Sequence, residues 1–233
     1  MNEEYLKMDD KHSSLDERHF TSKYNKNKIL DQLFERQHKG IFIEVGGWDG
    51  YELSNTYFME KMRDWTGILV EPIIVRAEEA NKNRWCKVVN ACVGKETKQV
   101  DFCHIQGYSE MLSAIKDSYH PTYNNRVLSE IQQHGQHISV YPLDCYTIND
   151  LMDKNTMKSA DYLSLDTQSS ELEVLQVYNV EKNPIKVIGL DTNSVNENEI
   201  KTWFAENGYV QYWKHGSADD YLFINHSLSW SWE

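Results

Sequence analysis

Residues Ile41-Phe42-Ile43-Glu44-Val45-Gly46-Gly47-Trp48-Asp49-Gly50 set the first limit on the fold. An apolar, β-branched run reaches a carboxylate and then passes three glycines in quick succession. Such a run reads as a buried strand. The glycines turn the chain sharply and let backbone approach a ligand. The plan recurs at Gly67-Ile68-Leu69-Val70-Glu71-Pro72, where a second apolar strand ends in an acid. Together they read as a nucleoside site, with Glu71 able to accept both hydroxyls of a ribose. Without Glu71, the glycine turn would serve equally well as a ligand-free strand-to-helix connection.

The details of the loop narrow the nucleoside. A dinucleotide fingerprint needs G-x-G-x-x-G, with amides at a helix start holding a pyrophosphate. Here the spacing is Glu44-x-Gly46-x-x-x-Gly50, and Asp49 lies inside the loop. A carboxylate there repels pyrophosphate, which disfavours a nicotinamide-dependent oxidoreductase. It suits a ligand carrying an ammonium and a sulfonium, S-adenosylmethionine. No G-x-x-x-x-G-K-[ST] loop occurs, which argues against an ATPase.

The chain of 233 residues fits one α/β domain with a full core. Lys and Arg number 24 against 36 Asp and Glu, a net charge of −12. That balance argues against nucleic acid as a partner, because phosphate binding needs a basic face. No apolar run reaches the ~20 residues of a membrane helix. The N-terminus lacks an apolar signal core, so the expected location is cytoplasmic. Cys86, Cys92, Cys103 and Cys145 form no C-x-x-C pair and read as reduced thiols ahead of a zinc site.

Residues 1–20 read as a polar arm and 21–233 as a single domain. Helices are expected over 26–37, 55–62, 73–83, 125–133, 147–152, 170–178 and 197–207. Strands are expected over 40–45, 67–71, 86–93, 100–104, 139–142, 161–166 and 185–190. A terminal antiparallel pair over 210–213 and 221–224 closes the sheet. Strands alternating with helices give a doubly wound, mostly parallel sheet. Its ligands sit at the carboxyl ends of the strands, where Glu44, Glu71, Asp166 and Asp191 lie. The stretch 105–137 reads as loops around one helix, either an acceptor-recognition insertion or a plain surface excursion.

These segments resemble the FkbM family of S-adenosylmethionine-dependent methyltransferases. The resemblance runs from about Phe20 to Ser227. Phe42 to Gly50 resembles F-[VI]-[DE]-[VI]-G-A-x-D-G. Ser54-Asn55-Thr56 and Trp65 to Pro72 resemble S-N-T and W-x-G-x-x-[VI]-E-P. Asp161 to Asp166, followed by Glu171 to Leu175, resembles D-[YF]-L-S-[LI]-D-x-E-G-x-E-x-x-[VI]-L. Ser22 to Leu30, Asn207-Gly208-Tyr209 and Asp219 to Asn225 resemble the opening and closing pieces. The resemblance implies a Rossmann-like class I methyltransferase sheet and methyl transfer to a hydroxyl of a sugar, glycan or glycosylated metabolite. It implies that Gly46, Gly47 and Gly50 shape the cofactor loop, Glu71 holds the ribose, Asn90 and Ala91 lie near the adenine, and Asp166 sits beside the methyl. A homodimer is left open. The chain departs from the family pattern at Gln168, Ser169, Asp191, Lys23 and Asn27. These departures motivate an alternative, a cofactor-binding homologue with impaired catalysis that acts as an interaction module.

A hydroxyl acceptor needs a general base or a cation that lowers its pKa. Asp166 is the first candidate, with a helix cap or a cofactor-orienting group as its plainer role. Asp166, Glu171 and Asp191 together could form an oxygen-ligand set for a divalent cation. Loss of the family's Glu at Gln168 weighs against it, and Glu171 equally suits a first helical turn. His104, His134 and His137 are further candidate bases, His104 foremost. Tyr108, Tyr119, Tyr123 and Trp213 are candidates for stacking on a sugar face.

Overall fold

The computed structural model describes residues 20–118, 121–168, 170–191, 197–215 and 220–228, without the side chains of 121–124 and 126. Nearly all of the polar arm, Tyr119, Ser169 and Asp219 lie outside the described residues, as does the side chain of Tyr123.

In chain order the elements are α1 (Lys26–Leu33), β1 (Ile41–Val45), α2 (Tyr57–Arg63), β2 (Thr66–Val70), α3 (Ile74–Asn83), β3 (Lys87–Val89), β4 (Cys92–Val93), β5 (Lys98–Gln106), β6 (Ala114–Ile115), α4 (Pro121–His134), β7 (His137–Tyr146), α5 (Ile148–Lys154), β8 (Ala160–Leu165), α6 (Glu171–Val177), β9 (Ile185–Asp191), α7 (Glu197–Glu206), β10 (Tyr209–Lys214) and β11 (Asp220–Asn225). Seven strands make one sheet in the order β10-β11-β9-β8-β1-β2-β3. All its pairings are parallel except those of β11, which runs antiparallel to β9 and β10. The expected hairpin is therefore present, with its second strand inserted inside the sheet. The chain reverses direction across the sheet at β1, between β2 and β8, and a ligand crevice opens at such a switch point.

Strand alternation assigns the two faces. Ile43, Val45, Ile68, Val70, Leu163 and Leu165 pack with Leu151, Val174, Leu175 and Phe204 on one side. Phe42, Tyr162, Val187 and Leu222 pack with Leu30, Phe34, Phe58 and Met59 on the other. Glu44 shares its face with Phe42, because side chains two residues apart project the same way.

The third expected strand, 86–93, is broken. Lys87–Val89 completes the large sheet, while Cys92–Val93 leaves it to pair with β7. A second sheet follows, in the order β4-β7-β5-β6. Its centre is a long antiparallel ladder from Lys98↔Cys145 to Gln106↔His137. The region read as loops with short strands is thus two long arms with α4 between them. Ile105, Leu112 and Val127 form a small core there. Helix α1 stops at Leu33, short of 37, and the following turn places Glu35 and Arg36 at positive φ. Thr147 caps α5 by accepting the Asp150 N–H. Gly208, at φ +80°, ends α7 as expected.

Candidate functional site

A cleft of about 330 Å³ opens over the carboxyl ends of β1, β2 and β8. The glycine turn forms its floor. The segment Lys23–Lys26 closes one side, and the 110–115 stretch of the second sheet closes the other.

Glu71 lines the cleft at the end of β2. Its Oε2 accepts the Trp48 N–H at 2.8 Å and its Oε1 accepts the Ile73 N–H at 2.8 Å. Each oxygen retains a further lone pair, as recognition of a diol requires. Burial pushes its pKa up to about 8, outweighing the two backbone donors that favour the charge. Asn90 donates its amide to the carbonyls of Glu71 and Pro72, 2.9 Å each, and so ties the end of β3 to the end of β2. Ala91 lines the cleft with Ile73 and Phe102, an apolar slot beside Glu71.

The glycines divide their work. Gly46 has φ +76°, and a Cβ there would meet the carbonyl oxygen of Asp166 at 2.4 Å, so a side chain is excluded on both counts. A Cβ on Gly47 would strike Leu69 at 2.3 Å, and one on Gly50 would strike Arg84 at 2.7 Å. Gly47 and Gly50 therefore serve close packing beneath the turn.

Three sequence expectations for this loop change. Asp49 does not border the cleft. Its Oδ1 accepts the N–H groups of Tyr51 and Glu52 at 2.8 and 2.7 Å, so it builds the turn and makes no part of the lining. Gly50 also lies off the lining. Glu44 borders the cleft, but its carboxylate is committed elsewhere. It accepts from Ser54, the Asn55 N–H, Thr56 and Arg84 at 2.6–3.0 Å. Arg84, wholly buried, also binds Glu60 and the carbonyl of Gly50. This network fixes the turn from below.

At the other end, Asp166, Gln168, Asp191, Lys23, Lys26 and Asp220 line the cleft. Burial, then the charges of Asp191 and Glu171, hold the Asp166 carboxyl well above the ordinary carboxylate range, against the pull of Lys26. Asp191 pairs with Lys23 at 3.6 Å. Lys26 pairs with Asp220, their side chains 2% and 1% exposed. Residues 21–27 dock through Thr21 on the Ser54 carbonyl and through a bridge between Ser22 and Leu53.

The cation set proposed from sequence does not fit. Glu171 Oε1 is turned to the N–H and hydroxyl of Thr167, at 2.9 and 3.0 Å. Among the described residues no cluster of three His, Cys, Asp or Glu is grouped to hold a metal. His104 is not among the residues lining the cleft. Its Nε2 lies 2.9 Å from Glu110, which also binds Arg76, and Arg76 stacks on Trp48. Tyr108 is exposed against His134, and Trp213 is half-buried against the cluster that holds Leu30 and Phe34, and neither lines the cleft. His134 and His137 lie outside the lining as well.

Sequence reasoning missed Lys26, Asp220 and Glu110. Asp220 was within reach: a strand returning antiparallel to β9 must set its first acid opposite Asp191, as the register Asp220↔Asp191 does. Lys26 and Glu110 gave no comparable signal, because their partners are distant in sequence.

The family description "Methyltransferase FkbM domain" matches residues 44–211, most of the chain. The chain belongs to the FkbM methyltransferase family. S-adenosylmethionine is the cofactor that goes with this membership, and the remaining lone pairs of buried Glu71 would suit a ribose diol. Among solved structures, an FkbM methyltransferase from Methylobacillus flagellatus is 13% identical, with a TM-score of 0.49, over 80% of this chain and 43% of that one. M. capricolum TrmK, in complex with S-adenosyl-homocysteine, is 10% identical, with a TM-score of 0.45, over 88% and 67%. A methyltransferase from Pyrococcus furiosus is 12% identical, with a TM-score of 0.41, over 84% and 81%. The chain thus spans less than half the length of the M. flagellatus FkbM protein. A search of curated proteins gives no significant match. Among the described residues no helix is long and apolar enough to cross a membrane.

Proposed function

We propose that the protein transfers a methyl group from S-adenosylmethionine to a hydroxyl of a sugar, glycan or glycosylated metabolite, with Asp166 as general base. One observation carries this reading. The backbone carbonyl of Asp166 excludes a side chain at Gly46, so this cleft-lining acid lies directly against the cofactor turn. When bound, the cofactor supplies an activated methyl group, and the protein's part is to place and deprotonate the acceptor. Glu71 anchors the ribose. Val45, Gly46 and Gly47 pass beneath the cofactor. Asp166 accepts the acceptor proton, at the end of β8 beside the cofactor turn. Asp191, paired with Lys23, borders the acceptor side.

Charge supports a neutral acceptor. Lys23 and Lys26 are the cations on the lining, against Glu44, Glu52, Glu71, Glu110, Asp166, Asp191 and Asp220. Both cations are already paired, Lys23 with Asp191 and Lys26 with Asp220, so the lining is a poor match for a phosphorylated acceptor. The test is transfer of labelled methyl from S-adenosylmethionine to a panel of neutral glycosides and their phosphorylated counterparts. Label on a neutral glycoside, lost in Asp166→Asn, supports the reading. Cofactor binding with no transfer to any member favours the impaired homologue, and transfer confined to phosphorylated members refutes the neutral acceptor.

A further inference from the structure

The turn after β8 bends back on itself at Gln168, whose φ is +57°. A residue with a side chain adopts that conformation at a cost, and such strain collects where surrounding structure requires it. Here it has a visible result. The turn brings the Gln168 side chain back over the carboxylate of Asp166. The side-chain Nε2 donates to Asp166 Oδ1 at 2.8 Å. Gln168 thus donates to the Asp166 carboxylate across the turn, and both residues line the cleft.

The surroundings show why an amide suits this place. Asp191 and Glu171 both press negative charge on Asp166. The nearby cations are committed, Lys26 to Asp220 and Lys23 to Asp191. A carboxylate at position 168 would add a further like charge and no donor. A lysine would pair with Asp166 and occupy the lone pairs that an acceptor proton needs. A neutral amide donates one hydrogen bond to Oδ1 and adds charge of neither sign.

We propose that Gln168 is the positioning residue for Asp166, holding its carboxylate in one orientation toward the acceptor and favouring the form that accepts a proton. The proposal rests on the methyl-transfer reading of the cleft. It also gives a use to the departure of Gln168 from the family's Glu: the chain replaces a negative group next to its base with a donor that orients it.

Two substitutions separate the amide from the backbone. Gln168→Gly tolerates the positive φ and keeps the N–H, so only the amide is lost. Gln168→Glu keeps the size and exchanges the donor for an acceptor. The readout is a carbon-13 NMR titration of the full chain labelled at aspartate carboxyls, with the Asp166 signal assigned by Asp166→Asn. It is run with and without S-adenosylhomocysteine. Loss of one hydrogen bond to the charged form should raise the Asp166 midpoint by about 0.7 pH unit in Gln168→Gly, roughly a fivefold change in its protonation equilibrium. Gln168→Glu should raise it further. A residue that merely shapes the turn would leave the midpoint in place. Unchanged midpoints in both variants, or a fall in Gln168→Gly, overturn the assignment of Gln168. If S-adenosylhomocysteine leaves every labelled signal of the wild-type protein unmoved, the cofactor reading fails first and the proposal with it.

Discussion

Replacing Glu71 by Gln should weaken cofactor binding by an amount that depends on pH in a defined way. In the wild-type protein both carboxylate oxygens accept backbone N–H groups and can each accept a ribose hydroxyl. Glutamine keeps one acceptor oxygen and turns an NH₂ toward a backbone donor. When Glu71 is ionised, losing a charge-assisted hydrogen bond costs about 2–3 kcal/mol, roughly 30- to 150-fold in affinity. The carboxyl's pKa of about 8 in the free protein changes this at lower pH. At pH 7 the free site carries a proton that binding must release, at a cost of about 1.4 kcal/mol for the one-unit difference. The wild-type advantage should shrink to roughly 3- to 15-fold there. Stability follows the same titration. A carboxyl raised from its ordinary 4.5 to about 8 holds a proton in the native protein that the unfolded chain has already released. Between those values the native state binds more protons, so stability falls as pH rises through the window. Glu71→Gln lacks that fall. The assay is calorimetric titration with S-adenosylhomocysteine at pH 7 and pH 9, paired with denaturant unfolding at both. Equal wild-type-to-variant ratios at the two pH values, or a variant that binds like wild type, would refute the reasoning.

Other substitutions test the site piece by piece. Arg84→Met strands the buried carboxylates of Glu44 and Glu60 and should destabilise the fold by about 3–5 kcal/mol, a fall in Tm of about 10 °C or more by thermal denaturation. Gly46→Ala forces a Cβ into the Asp166 carbonyl at positive φ and should lower S-adenosylhomocysteine affinity more than about tenfold; calorimetry that finds wild-type affinity would contradict the close approach. Asp166→Asn should abolish methyl transfer while cofactor affinity stays within a few fold, and full turnover would remove Asp166 from the chemistry. His104→Ala should leave the pH profile of transfer unchanged, because its ring pairs with Glu110 away from Asp166.

The large sheet was legible because its signals are local. Ile41–Val45 and Thr66–Val70 are short apolar runs with an acid at or just past the end, and their parallel partners are equally apolar. The second sheet was not. Strands β5 and β7 are half-exposed arms rich in polar residues, such as Lys98-Gln99 and His137, and their ladder closes over a whole helix. Nothing local shows that Lys98 pairs with Cys145. In the site, Glu71 could be placed from its strand alone. Asp49 and Glu44 could not, because the carboxylates of both are claimed by neighbours: the Tyr51 and Glu52 amides for one, and Arg84, forty residues away, for the other. The Lys26–Asp220 pair joins the first helix to the last strand and is visible only once the sheet is closed.

The central claim is that the cleft between the Gly46 turn and Glu71 holds the adenosyl cofactor. Titration of the full wild-type chain with S-adenosylhomocysteine at pH 8 tests it most directly. Saturable binding at a single site, weakened in Glu71→Gln, is the predicted result. No saturable binding at high micromolar concentration would contradict it and leave the glycine turn as a structural feature without a ligand.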